Sequence, residues 1–173
     1  MRFAPAPAEM DRDAFLARFG GVWEDSPWIA AATWERGLGP GTETPEGLAA
    51  AMSAEVDAAG RAAQLALLRA HPDLAGRLAL AGGLGAASTA EQAGAGLDAC
   101  TPEELDAFTA LNDRYTARFG FPFILAVKGR HRTEILEIFR ARVANDPETE
   151  FAEALGQVKR IARLRLEALA EAP

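Results

Sequence analysis

Two histidines are the side chains of this sequence best suited to move protons near neutral pH. His71 stands directly before Pro72, which disfavours helical backbone at the preceding residue, so we expect His71 at the end of a helix. A helix end at a cavity rim is a usual place for a working side chain. The structural alternative is an imidazole facing the C-terminal dipole of its helix. His131 lies in a basic turn with Arg130 and Arg132, where we expect solvent exposure and no catalytic role.

Ser88 and Glu91 form a second candidate pair. They have the spacing of a capping box, in which Ser is the N-cap and Glu stands three residues later. The cap by itself explains both residues without function. Their setting leaves a functional role open, because the region Leu80 to Gly96 is rich in glycine and predicts a loop with close backbone approaches.

Arg165 is misplaced for a surface residue. The last predicted helix has an apolar stripe formed by Phe151, Leu155, Val158, Ala162 and Leu169. Arg165 falls inside this stripe, so it must extend to solvent, pair with a carboxylate or bind an anion. A structural ion pair is the plain interpretation. In a chain of net charge -7, Arg165 is also a candidate to hold a substrate carboxylate or carbonyl.

Other chemistries lack support in the sequence. Two distant histidines with no neighbouring cluster of soft ligands do not predict a zinc site, and no glycine-rich nucleotide motif is present. Cys100 is the one cysteine, so the chain has no internal disulfide, and we interpret it as a small buried or boundary residue. A Ser88–His71 nucleophile pair would lack the strand-to-helix context of a nucleophile elbow.

The elements that must position these residues are predicted to be helices. Helix starts are indicated by an N-cap residue followed by proline at Ser26-Pro27, Thr44-Pro45, Thr101-Pro102 and Asp146-Pro147. After Pro102 the apolar residues recur at helical spacing. Gly60 predicts a break in the long segment that follows Pro45. The segment 123–127 is the one strong strand candidate, and we interpret it as an extended segment or a buried turn of helix.

Length and composition indicate a single domain spanning residues 1–173, with residues 1–10 poorly ordered. The net charge of -7 argues against a nucleic-acid-binding protein, which needs a basic face. No apolar run has the length of a signal peptide or a membrane span. We therefore expect a cytoplasmic protein that binds neither a membrane nor nucleic acid.

Several segments together resemble the 2-oxo-4-hydroxy-4-carboxy-5-ureidoimidazoline (OHCU) decarboxylase family, over nearly the whole chain from about Phe15 to Leu169. The segments are Phe19 to Trp28, His71 to Gly76, Ser88 to Gln92, Phe119 to Phe123 and Ile161 to Leu166. Each motif is weak alone, whereas their order and spacing are specific, and the block Phe119-Gly120-Phe121-Pro122-Phe123 is the most distinctive. No departure occurs at the expected catalytic positions.

The resemblance implies a single compact all-α domain with a glycine-rich active-site loop, working without metal or organic cofactor as a homodimer. It implies conversion of OHCU to (S)-allantoin, the last step of urate oxidation. It makes His71 the catalytic imidazole and Glu91 its catalytic partner. The substrate-binding residues that it implies are Pro72, Ser88, Gln92, Phe121, Phe123, Ile124, Leu125, Ala126 and Arg165.

Two other functions stay open at this point. One is an enzyme that hydrolyses a ureide in a similar pocket, which would release ammonia or urea instead of CO2. The other is a helical interaction module, in which Trp23, Trp28 and Trp34 and the alanine-rich helix form a partner surface.

Overall fold

The computed structural model describes residues 1–75 and 86–171, and that part of the chain contains helices and no strand. This confirms the all-α fold class. The helices are α1 (Arg12–Phe19), α2 (Trp28–Arg36), α3 (Pro45–Ala58), α4 (Gly60–Ala70), α5 (Ala86–Gly94), α6 (Pro102–Phe119), α7 (Arg132–Arg142) and α8 (Pro147–Glu171), with 3-10 turns at Pro7–Glu9 and Leu97–Ala99. Within the described residues no helix is long and apolar enough to cross a membrane.

Three of the four predicted helix starts are confirmed by their caps. The Thr44 hydroxyl accepts from the Gly47 N–H at 3.1 Å, and Thr101 forms a capping box with Glu104. The Asp146 carboxylate accepts from the N–H groups of Glu148 and Thr149 at 3.2 and 3.0 Å. Each cap satisfies N–H groups that the first helical turn leaves without an acceptor.

The fourth helix start was misplaced by one residue. Helix α2 begins at Trp28 with Pro27 as its N-cap, and no side chain caps it. Ser26 therefore lies one position before the cap, where its carbonyl accepts from the Ile29 N–H at 3.2 Å. The predicted break at Gly60 is confirmed, because α3 ends at Ala58 and Gly60 has the left-handed φ of 79° that favours glycine.

The prediction of a glycine-rich loop over residues 80–96 is wrong for its second half. Residues 86–94 form α5, and residues 80–85 lie outside the described part of the chain. Ser88 is the third residue of α5 and so cannot be its N-cap. Alanine and glutamine in this segment favour helix enough to offset Gly94, which stands at the helix end where glycine is tolerated.

The segment 122–127 is neither strand nor helix. It follows α6, whose C-cap Gly120 has a left-handed φ of 77° that redirects the chain. Its side chains from Phe123 to Val127 are buried. The segment is therefore buried, as one of the two interpretations expected, but it does not form a turn of helix, and no regular element forms there.

The chain divides into two compact units, and we describe each by itself. Unit 1 comprises Met1–Ala70 and the chain from Val158 onward, and unit 2 comprises His71–Gln157. Unit 1 has a core formed by α1, α2, α3 and the end of α8, in which Phe15, Phe19 and Ile29 are fully buried. Phe3 is also buried there and contacts the Phe19 ring at 5.0 Å between centroids. Poor order at residues 1–10 stays a prediction, and Phe3 has a defined place in that core.

Unit 2 has an aromatic core between α6, α7 and the segment 121–127. The Tyr115 ring contacts Phe121, Phe123 and Phe139 with centroids 5.4 to 5.8 Å apart. Phe123 stacks on Phe139 at 3.8 Å and 11° between ring planes. Edge-to-face and stacked contacts of this kind define ring positions more sharply than aliphatic packing does, so this core fixes the segment after α6.

Candidate active site

His71 is the first residue after α4, as its place before Pro72 predicted, and it is 8% exposed. The turn that follows is fixed by two amide side chains from other helices. Gln92 accepts from the Ala75 N–H at 3.0 Å and donates to the Asp73 carbonyl at 3.3 Å. Asn112 donates to the Leu74 carbonyl at 3.0 Å. The backbone after the imidazole is therefore held at three successive residues.

Helix α5 presents Ser88, Glu91 and Gln92 on one face, because residues three and four apart are neighbours on a helix. Ser88 and Gln92 are buried at 5% and 6% exposure, and Glu91 is half-buried. The bonds from Gln92 to Asp73 and Ala75 place this face against the turn after His71. The predicted substrate contact of Gln92 stays a prediction, and the structure adds its role in holding that turn.

Helix α6 connects the His71 turn to the segment after α6. Asn112 contacts the turn through Leu74, and Tyr115, three residues along the same face, contacts Phe121 and Phe123. The turn after His71 and the predicted pocket segment therefore contact neighbouring positions of one helix. Unit 2 thus holds every predicted site residue except Arg165.

The backbone of the predicted pocket segment has N–H donors without an acceptor among the described residues. The Ala126 N–H donates to the Gln157 side chain at 3.0 Å. Across residues 1–75 and 86–171, no protein acceptor pairs with the N–H groups of Phe123, Ile124 or Leu125. These residues are at most 4% exposed, and buried N–H groups in proteins are almost always paired. Such donors suit the carbonyl or carboxylate oxygens of a bound ligand.

A buried ion pair, which the sequence analysis missed, underlies this segment. Arg142 donates to Glu150 Oε1 from Nε at 3.0 Å and from Nη2 at 2.6 Å, and its Nη1 donates to the Ile124 carbonyl at 2.8 Å. Glu150 is fully buried and also accepts from Tyr115 and from Asn145. Burial and the bond to Glu150 raise the pKa of Tyr115, so its hydroxyl stays a donor.

The signal for this pair was present in the apolar stripes. Arg142 follows Ile135 by seven residues and Phe139 by three, which puts it on the buried face of α7. Glu150 precedes Ala154 by four residues on the buried face of α8. The wheel argument applied to Arg165 would therefore have found both residues.

Arg165 lies in unit 1, and its side chain is 10% exposed, as its place in the apolar stripe predicted. Its Nη1 donates to Glu24 at 3.0 Å and to the Val22 carbonyl at 3.3 Å. The ion pair with Glu24 is the structural arrangement that the sequence left open.

Comparison with known proteins gives a consistent result. Residues 8–167 match the model of a family described as OHCU decarboxylase. The chain belongs to the OHCU decarboxylase family. It is 42% identical to the 2-oxo-4-hydroxy-4-carboxy-5-ureidoimidazoline decarboxylase of Haloferax volcanii, covering 91% of this chain and 89% of that protein. It is 41% identical to the enzyme of the same name from Halalkalicoccus jeotgali, covering 93% and 88%.

The fold of this OHCU decarboxylase family member is shared with a solved structure. A crystal structure of an (S)-allantoin synthase superposes with a TM-score of 0.74 and 32% identity, covering 95% of this chain and 53% of that chain. The family resemblance drawn from the sequence motifs is therefore confirmed. The family match spans both units, and the roles of the individual site residues stay predictions.

Proposed function

We propose that this protein catalyses the decarboxylation of OHCU to (S)-allantoin, as a carboxy-lyase in urate degradation. The observation that carries the proposal is the match to the OHCU decarboxylase family over residues 8–167. The geometry of unit 2 supports it. The turn after the buried His71 is held by Gln92 of α5 and Asn112 of α6, and Tyr115 of α6 packs on Phe123. Within the described residues, the N–H groups of Phe123, Ile124 and Leu125 have no protein acceptor.

The reaction is suited to side chains alone. OHCU carries its carboxylate on a carbon that also bears a hydroxyl, and the neighbouring ring carbon belongs to a C=N bond. The bond to the carboxylate breaks, CO2 leaves, and the electron pair moves into that C=N group. The hydroxyl then loses its proton and becomes the carbonyl of allantoin, while the neighbouring ring carbon gains a proton. Because the substrate is its own electron sink, we propose a mechanism without metal or organic cofactor, in which the protein orients the substrate and delivers the proton to one face.

We assign the proton transfer to His71, because histidine is the residue type whose side chain ordinarily titrates near neutral pH. It removes the hydroxyl proton as CO2 departs, or protonates the neighbouring carbon. Glu91 fixes the hydroxyl or ureido group and tunes His71. Arg165 holds a carbonyl or the carboxylate.

The remaining predicted residues bind the substrate. Ser88 and Gln92 contact the substrate from α5, and Pro72 contacts it beside the imidazole of His71. The backbone of Phe121, Phe123, Ile124, Leu125 and Ala126 lines the pocket. Among the described residues, the N–H groups at 123–125 have no protein acceptor, which supports this assignment because a substrate oxygen would satisfy them.

The deciding experiment is a coupled assay that generates OHCU from urate with the two upstream enzymes and follows (S)-allantoin by circular dichroism. The protein should give a fast optical signal, and His71→Ala and Glu91→Gln should each lower kcat by about 10²- to 10⁴-fold. His131→Ala is the matched control, since His131 is exposed at the start of α7. A wild-type rate equal to the slow racemic background would contradict the proposal.

The same assay separates the other functions. Released CO2 identifies the decarboxylase, whereas ammonia or urea would identify a ureide hydrolase. Activity of neither kind would favour the interaction module. Arg165→Lys keeps the charge that faces Glu24 and removes the planar fork, so a higher KM at unchanged Tm would support its contact with substrate.

We also propose that the chain works as one domain, as a homodimer and in the cytoplasm. The family match across both units supports one domain. Light scattering of the purified protein tests the dimer, and fractionation of the source cells tests the compartment.

A further inference from the structure

Arg142 contacts both a buried carboxylate and the backbone of the pocket segment. Two of its nitrogens donate to Glu150, and the third donates to the Ile124 carbonyl at 2.8 Å. Its guanidinium also lies 4.6 Å from the centroid of the Phe123 ring. One side chain therefore contacts two consecutive residues of the segment whose N–H groups at 123–125 have no acceptor in the described ranges.

The bond to Ile124 determines where the next N–H group points. A trans peptide unit is planar, with its C=O and the following N–H directed to opposite sides. Fixing the Ile124 carbonyl on the guanidinium therefore fixes the Leu125 N–H on the side away from it. The bond from Ala126 to Gln157 holds the next peptide unit. The Leu125 N–H is thus oriented from both sides and has no protein acceptor within the described residues.

We propose that Arg142 is a positioning residue, which orients the Ile124–Leu125 peptide so that the Leu125 N–H donates to an oxygen of the bound ureido-imidazoline. The inference rests on the proposed function and adds to it the residue that sets this donor. The positive charge on the carbonyl side also polarises the peptide, which strengthens its N–H as a donor. Glu150, held by Tyr115 and Asn145, fixes the guanidinium in turn.

Stability alone does not account for this arrangement. A buried ion pair loses its hydration, and well-packed apolar residues of similar size often give equal or greater stability. Glu150 is fully buried and the Arg142 side chain is 8% exposed, so both groups are removed from water. An apolar pair could not accept the bonds that Tyr115 and Asn145 donate to Glu150, nor could it make the bond from Arg142 to the Ile124 carbonyl. Of these bonds, the one to Ile124 is the one made to the backbone of the pocket segment.

The test is a charge-neutral double variant, Arg142→Met with Glu150→Gln, which leaves no unpaired buried charge. The matched control is Arg132→Met with Glu104→Gln, which removes an ion pair of the same unit at the other end of α7. Glutamine keeps the capping box at Thr101 in that control. Arg142→Lys is the second variant, because it keeps the charge balance if the double variant fails to fold.

Steady-state decarboxylation of OHCU should show KM about tenfold or more above wild type in the Arg142→Met/Glu150→Gln variant, with kcat changed much less, because the lost bond is made to bound substrate. Arg142→Lys should raise KM by less, and the control should keep both constants. A purely structural role would lower the active fraction, and so the apparent kcat, at unchanged KM. That result in either Arg142 variant would overturn the inference.

A direct readout uses protein labelled with 15N-leucine and titrated with (S)-allantoin. The Leu125 amide resonance should shift in wild type and in the control, and should shift less in the Arg142 variants at equal ligand occupancy. An unchanged Leu125 resonance in saturated wild type would also overturn the inference. A wild-type protein that does not decarboxylate OHCU would instead remove the proposed function and this inference with it.

Discussion

At the residue scale, two amide side chains hold the backbone of the turn that follows His71. Gln92 and Asn112 together bond to Asp73, Leu74 and Ala75. Ala75 has a φ of 47°, a conformation that a residue with a Cβ adopts at some cost and that its surroundings must hold. The turn is therefore kept in place by side chains that need not react themselves.

Asn112 gives the sharpest prediction for this turn. Asn112→Ala leaves the Leu74 carbonyl without its donor inside the protein, so the free energy of unfolding should fall by roughly 1–3 kcal/mol. Urea unfolding measures this change, and kcat should fall with it because the turn carries His71. Thr109→Ala on the same helix is the control, since its hydroxyl bond to Leu105 is exposed and should change stability by at most about 0.5 kcal/mol. Equal effects of the two substitutions would contradict the role given to Asn112.

At the element scale, the helix starts depend on close backbone approaches as well as on caps. Gly47 lies in the first turn of α3, and a Cβ there would stand 2.0 Å from the Gly41 carbonyl oxygen. Gly156 lies inside α8, and a Cβ there would meet nothing within 4 Å. Position 47 therefore requires glycine, whereas position 156 has room for a larger side chain.

The same substitution at these two glycines should have opposite signs. Gly47→Ala should destabilise by about 1–3 kcal/mol, because backbone atoms must move to relieve the overlap. Gly156→Ala should stabilise by about 0.5–1 kcal/mol, because alanine has the higher helix propensity and loses less entropy on folding. Thermal unfolding followed by circular dichroism measures both. A stabilised Gly47→Ala protein would show that α3 begins differently.

At the scale of the whole molecule, acid should weaken the fold through carboxylates that are held ionised. The hydrogen bond from Arg36, at the end of α2, lowers the pKa of Glu55, a buried carboxylate of α3. A carboxyl whose pKa is lowered on folding stabilises the protein above its unfolded pKa of about 4.3, and that contribution is lost as pH falls through the folded value.

The urea midpoint of the wild type should therefore decrease as pH is lowered from about 6 to about 3. Glu55→Gln should be less stable at pH 6 and should lose less stability over the same range. Glu35→Gln is the control, because Glu35 is exposed and its nearest cation, on Arg12, is 3.7 Å away. A variant with the full acid sensitivity of the wild type would exclude Glu55 as a source of that sensitivity.

The aromatic residues provide a test of the single-domain proposal. All three tryptophans lie in unit 1, whereas Tyr115, the one tyrosine, lies in unit 2. If the chain is one cooperative domain, tryptophan fluorescence and the 19F signal of fluorotyrosine at position 115 should report the same urea midpoint. Two separate midpoints would show that the units unfold independently.

The sequence by itself determined the fold class, three helix starts and the inward position of Arg165. These depend on local rules: a cap beside proline, and the 3.6-residue period of an apolar stripe. The motifs around His71, Ser88–Gln92 and Phe119–Phe123 were enough to place the chain in its family, which the match over residues 8–167 confirmed. Local rules failed at residues 86–94, where helix forms although the surrounding sequence is rich in glycine.

Only the tertiary structure decided which groups hold the site. The bonds from Asn112 to Leu74 and from Arg142 to Ile124 join residues far apart in the chain, and side-chain spacing contains no information about such partners. The sequence also could not predict that the N–H groups at residues 123–125 have no acceptor in the described part of the chain, because whether a donor is paired depends on every element packed around it. Periodicity tells which face of a helix is buried, whereas the identity of the group on the other side is a property of the folded chain.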